Sequence, residues 1–205
     1  MTDLNRALAE IDAIRGQIAR AAEFRGYGPA TVAASGFLGI AVAGVQGLLI
    51  KSPMHASGEY LTLWIGTAVV AVTLTGVEMI ARTRRIYSRL ALEMMHSAVD
   101  RFVPPLLAGL LLTAVLVHSA PHCLWMLPGL WQVLFSLGIF SSCKLLPRPM
   151  FAAGLWYLIT GLACLAAGGG DASLSPWAMG LPFGLGQLLV AAVLQFGYRD
   201  ANERT

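Results

Sequence analysis

The sequence predicts an all-α, polytopic integral membrane protein: six transmembrane helices arranged as three hairpins, preceded by an N-terminal cytoplasmic amphipathic helix. Three observations predict it. The chain is 57% hydrophobic and only 12% charged, whereas soluble domains carry about a quarter charged residues. Its Lys, Arg, Asp and Glu are clustered, which leaves 26–50, 60–77, 102–143, 149–170 and 172–198 free of them. All the basic residues except Lys51 fall on one side of the implied spans.

The N-terminal residues 1–28 form the first unit. Over 3–25, Leu4, Leu8, Ile11, Ile14 and Ile18 recur at helical spacing, and Asp3, Arg6, Asp12, Arg15, Gln17 and Arg20 fill much of the rest. That pattern predicts an amphipathic helix, lying on the membrane surface, pairing with another helix or docking a partner. Gly26, Gly28 and Pro29 then favour a bend. The segment lacks the apolar stretch of a cleavable signal peptide.

The transmembrane domain covers 29–198. A span needs roughly 20 mainly apolar residues. The run from Phe102 to Cys143 is long enough for two, and Pro121 is the natural divider because proline breaks a helix. Six spans result, near 29–50, 60–80, 102–119, 124–142, 149–168 and 176–197. The segment 81–101 between the second and third spans is basic and helical in pattern. A short tail, 199–205, follows.

Basic residues in short loops mark the cytoplasmic side. Arg6, Arg15, Arg20 and Arg25 precede the first span. Arg82, Arg84, Arg85, Arg89 and Arg101 follow the second, Lys144 and Arg148 the fourth, and Arg199 and Arg204 the sixth. Both termini are therefore expected in the cytoplasm of a bacterial cell, with the chain in the inner membrane. Trp64, Trp125 and Trp177 open the even-numbered spans, where an indole keeps its N–H near water.

Within the spans, Ser35, Gly39, Ala43 and Gly47 form a small-residue ladder that lets helices approach closely, and Gly180 and Gly184 begin another. Two related stretches, LPGLWQ (127–132) and LPFGLGQ (181–187), tie the second and third hairpins together as a parallel repeat. Pro128 and Pro182 each lack an N–H and so kink the helix and free a carbonyl. A freed carbonyl in lipid must find a donor. Gln132 and Gln187 are placed to supply one, with Gln46, Ser136 and Glu78 as the other intramembrane polar groups. They serve either as interhelical glue or as the lining of a polar cavity. Glu78 stands four residues before Arg82, as in a helical ion pair.

Chemistry is sparse. Cys123, Cys143 and Cys164 have neither disulfide nor zinc spacing. His118, His122 and Cys123 are the candidates for a metal or haem, but Pro121 interrupts the helix that would align the histidines. No cofactor and no nucleic acid are expected. The expected partners are the lipid bilayer, a membrane or cytoplasmic protein engaged through 3–25 and 81–101, and further copies of the chain. Three functions fit: a non-enzymatic scaffold, accessory subunit or regulator; a small-solute or lipid transporter or channel; and a haem- or metal-binding redox protein.

Overall fold

The computed structural model describes residues 28–202 apart from 54, 87–88, 144–148 and 170–171. The expected helix over 3–25 and the last residues of the tail lie outside the described residues. The described elements are helices: α1 (Pro29–Leu49), α2 (Ser57–Ile86), α3 (Arg89–Ser119), a 3-10 turn (Pro121–Met126), α4 (Leu127–Ser142), α5 (Met150–Ala166) and α6 (Pro176–Asn202). No strand occurs among them. Five are long and apolar enough to cross a membrane, taking the 3-10 turn together with α4. The sixth, α5, is a shorter apolar helix of 17 residues.

Prolines set the boundaries. Pro29 occupies the first turn of α1, where its missing N–H has no intrahelical partner to lose. Pro121 ends the run of α3 and opens the 3-10 turn. Pro128 also sits in a first turn, that of α4. The kink expected at Pro128 is therefore replaced by a change from 3-10 to α geometry just before it. Pro182 lies inside α6, as do Pro104 and Pro105 inside α3.

The segment 81–101 is helical where it is described, and is shared between two helices. Met79–Ile86 belongs to α2, and α3 already starts at Arg89. These two helices have 30 and 31 residues, or about 45 Å each at about 1.5 Å per residue. A hydrocarbon core is about 30 Å thick, so each is longer than one crossing needs; the end that carries Arg82, Arg84 and Arg101 is called the basic end below.

Packing is most extensive between α1 and α6 and between α4 and α5, then between α3 and α4. Contact between α2 and α3, which follow each other in sequence, is slight. The burial follows suit: 11% and 6% of the apolar parts of α2 and α3 are buried, against 44% and 39% for α4 with its 3-10 turn and for α6. Two apolar clusters form the interior. Val32, Ile139, Met150, Ala153, Tyr157, Ala191 and Leu194 fill one, and Ala43, Ile50, Tyr60, Trp64, Leu174 and Met179 the other. Phe183 packs against both. Its ring neighbours Phe135 and Tyr157 at centroid distances of 5.6 and 5.3 Å.

Two crossings share one design. A Cβ on Gly36 of α1 would lie 2.9 Å from the Gly184 carbonyl and 3.0 Å from the Gln187 Cβ. A Cβ on Gly161 of α5 would lie 2.8 Å from the Gly129 carbonyl and 3.0 Å from the Gln132 Cβ. In both, Gly-x-x-Gln on the proline-bearing helix meets one glycine on its neighbour, and backbone rests on backbone. The repeat seen in LPGLWQ and LPFGLGQ is thus a packing module, used once between α4 and α5 and once between α6 and α1.

The ladder on α1 differs from its expected register. Gly36, Gly39, Ala43 and Gln46 are buried, while Ser35 is half-buried and Gly47 exposed. The Ser35 hydroxyl turns back to the Val32 carbonyl of its own helix, 2.7 Å away. Gly180 and Gly184 do face α1: a Cβ on either would strike Ala43 or Ile40.

Candidate functional site

Two glutamines of the spans, Gln46 and Gln132, are buried in the interior and tie helices together. Gln132 is fully buried. Its amide nitrogen donates to the Pro128 carbonyl of its own helix and to the Ala178 carbonyl of α6, both at 3.0 Å. In a regular helix the Ala178 carbonyl would accept from the N–H of residue 182. That residue is proline, which has none. The carbonyl left bare by Pro182 is therefore taken up by a side chain from another helix. The Cys164 thiol of α5 lies 3.7 Å from both the Gln132 nitrogen and the Ala178 oxygen.

The remaining residues of the two motifs have comparable roles. The Trp131 indole N–H donates to the Thr113 hydroxyl of α3 at 2.9 Å. Pro182 and Phe183 offer their carbonyls to α5, the first to the Trp156 indole at 3.0 Å and the second to the Tyr157 hydroxyl at 3.3 Å. Gly186 leaves room for the Tyr157 ring, which a Cβ there would strike. Gln187 is half-buried, its Cβ against Gly36 and its amide beside the Tyr157 hydroxyl.

Gln46 is the second clasp and is also fully buried. Its nitrogen donates to the Leu174 carbonyl at 2.8 Å, and its oxygen accepts from the Trp64 indole at 2.7 Å. One side chain thus joins α1, α2 and the turn before α6. Trp64 was expected to hold its N–H near water; it is buried and spends that N–H on Gln46. Trp177 is exposed and Trp125 half-buried. In the same turn, Gly168 takes a left-handed conformation, φ 82°, and its carbonyl accepts from the Ser173 hydroxyl.

Ser136 is fully buried, but its hydroxyl bonds the Val133 carbonyl of its own helix at 2.7 Å. Glu78 stands apart at the basic end. Arg82 donates to it at 2.9 Å, and its carboxylate packs where a Cβ on Gly28 would fall. Nearby, Arg101 donates to the Ser141 carbonyl at 2.9 Å while the Ser141 hydroxyl donates back to the Arg101 carbonyl at 3.2 Å. This pins α3 to the last turn of α4, where a cation also suits the helix dipole.

His118 and His122 are exposed and Cys123 is half-buried, at the end of α3 and in the 3-10 turn. Among the described residues, no three His, Cys, Asp or Glu side chains come together as a metal-binding group. The pairing of indoles with neighbouring helices was missed by the sequence reading. Its signal was the placement of Trp131 and Trp156 in the middle of apolar runs, where an indole N–H needs a partner.

Comparison of the chain with protein-family models, with curated proteins and with solved structures finds no match.

Proposed function

We propose that the chain is a non-enzymatic protein of the bacterial inner membrane, its three hairpins crossing with both termini in the cytoplasm. It acts as a scaffold, accessory subunit or regulator through its cytoplasmic helices. One observation carries this reading. The amides of Gln46 and Gln132 are held between closely packed helices, while the two helices that meet at the basic end, of 30 and 31 residues, are longer than one crossing needs. Leu92, Glu93, His96, Val99 and Asp100 of α3 are exposed there, together with Arg84 of α2. Apolar and charged side chains interleaved on one projecting helix suit a protein surface, and the arginines suit the anionic headgroups of the adjoining leaflet.

The test is site-specific photocrosslinking of the full-length chain in its native membrane, with probes at Leu92 and Val99 and a control at Leu110, on the lipid-exposed part of α3. A discrete protein adduct at the first two positions, lost when 1–25 is removed or when Glu93 and Asp100 are reversed in charge, supports the reading. Adducts to lipid alone at all three positions reject it. A solute flux into proteoliposomes that Gln132→Leu abolishes would establish the transporter reading instead.

A further inference from the structure

We infer that α3 carries a hinge at Pro104 and Pro105, and that the paired residues Arg101 and Ser141 are its latch. The hinge carries residues 89–103, called the arm. The inference concerns how the arm is held, not what binds it, and so does not depend on the partner reading above.

Two consecutive prolines sit inside α3. In a regular helix, residues 104 and 105 would donate their N–H groups to the carbonyls of Asp100 and Arg101. Proline has no N–H, and its ring crowds the same carbonyl. Two neighbouring rungs are therefore missing at one level of α3, a recognised cause of kinks. Beyond that level the arm has little other support. Its contact with α2 is slight, and Leu92, Glu93, His96, Val99 and Asp100 are exposed.

What holds the arm lies next to the prolines. A Cβ on Gly138 of α4 would lie 3.0 Å from the Phe102 ring, which also meets the Phe135 ring edge-on at 5.3 Å. Arg101 donates to the Ser141 carbonyl at 2.9 Å. The Arg101 carbonyl, the one that Pro105 leaves bare, has the Ser141 hydroxyl 3.2 Å away. As at Pro182, the replacement donor is a side chain of α4.

The latch has two positions built in. A serine hydroxyl has one hydrogen, and Ser141 has two carbonyls to give it to. One is that of Arg101; the other is that of Gly138 in its own helix, at 2.8 Å. Turned to Arg101, the hydroxyl closes the hinge. Turned to Gly138, it frees the Arg101 carbonyl and stays bonded itself. Both bonds between Arg101 and Ser141 are exposed, so water can replace either. Gln132 serves the Ala178 carbonyl from a fully buried position, where water has no such access. Pro182 is thus locked, whereas Pro104 and Pro105 are hinged. The motion is a change of angle rather than a departure of the arm, because Met79 and Thr83 are buried and hold the neighbouring end of α2.

The test is pulsed EPR on the full-length chain in lipid nanodiscs, with spin labels carried on unnatural amino acids at exposed positions. The pair Leu92 and Leu137 spans the hinge, and the pair Leu110 and Leu137 leaves it out. The parent is expected to show one main and one minor distance for the first pair. Ser141→Ala should raise the ratio of minor to main about fivefold, the worth of one hydrogen bond, and leave the second pair unchanged. With Pro104→Ala and Pro105→Ala both present, α3 regains its N–H groups, and Ser141→Ala should then change neither pair. Ser141→Thr keeps the hydroxyl and should match the parent, which separates a lost latch from a poorly folded variant. The inference is overturned if Ser141→Ala leaves the first distribution as it was, if it widens both pairs alike, if it acts equally without the prolines, or if Ser141→Thr behaves as Ser141→Ala does.

Discussion

The amide nitrogen of Gln132 lies 3.0 Å from the carbonyl oxygen of Ala178, four residues before Pro182. The proline and the glutamine are on different helices and far apart in sequence, yet each accounts for the other. Pro182 loosens α6 by removing one N–H, and α4 supplies the donor that the helix lacks. In water the bare carbonyl would be hydrated. In hydrocarbon no water can do so and the Cys164 thiol, 3.7 Å away, is only a weak donor, so the bond orients α4 against α6 while it repairs the proline.

The Gln46 clasp should be separable from its partner. Trp64→Phe leaves the Gln46 oxygen bare, whereas Gln46→Leu leaves both the Trp64 N–H and the Leu174 carbonyl without it. Either should cost about 1–2 kcal/mol of unfolding free energy, measured by reversible unfolding in mixed micelles. The double variant should cost less than the two added together. Independence of the two losses would show that the bond is not formed.

Glycine crossings should tolerate nothing larger. Gly36→Ala and Gly161→Ala place a methyl within 3 Å of a backbone carbonyl, and backbone cannot step aside as a side chain can. Each should destabilise by about 1–3 kcal/mol, and Gly184→Leu by more than Leu188→Ala. Gly66→Ala and Gly76→Ala on α2 meet nothing within 4 Å. They serve as controls and should leave stability unchanged or raise it by up to about 1 kcal/mol.

Much of this was legible because proline and glycine act through covalent geometry. The missing N–H of Pro182 and the need for a donor follow from the residue alone. So does the division of 102–143 at Pro121. The ladder 35, 39, 43, 47 went astray for a geometric reason: each four-residue step overshoots a helical turn by about 40°, so three such steps leave the contact face. The real face alternates three and four, through Gly36, Gly39, Ala43 and Gln46. Which helix pairs with which was not legible. These helices are apolar on every side, and the stripe that points a soluble helix at its core is missing here. Adjacency in sequence suggested α1 with α2, whereas the closest packing joins α1 to α6 through Gly36 and Gly184.

Gln187 should matter less than Gln132. It is half-buried, and its amide has the Tyr157 hydroxyl beside it rather than a carbonyl stripped by proline. Gln187→Leu should cost about 1 kcal/mol or less, in the same unfolding assay. A cost above that of Gln132→Leu would contradict the ranking.

Orientation is checked independently of packing. Reporter fusions after Lys51, Pro121 and Asp171 are expected to read outside the cytoplasm, and those after Arg85, Leu146 and Arg199 inside, from the distribution of Lys and Arg. One clear reversal would contradict the assignment.

The central claim is that intramembrane glutamine repairs what intramembrane proline breaks. The most direct measurement is the unfolding free energy of Gln132→Leu in two backgrounds, the parent and Pro182→Ala. In the parent the substitution leaves the Ala178 carbonyl only the weak Cys164 thiol donor and should cost about 1–2 kcal/mol. Alanine at 182 restores the backbone N–H, so the same substitution should then cost less than half as much. An equal cost in both backgrounds would show that Gln132 does not serve the carbonyl that Pro182 leaves bare.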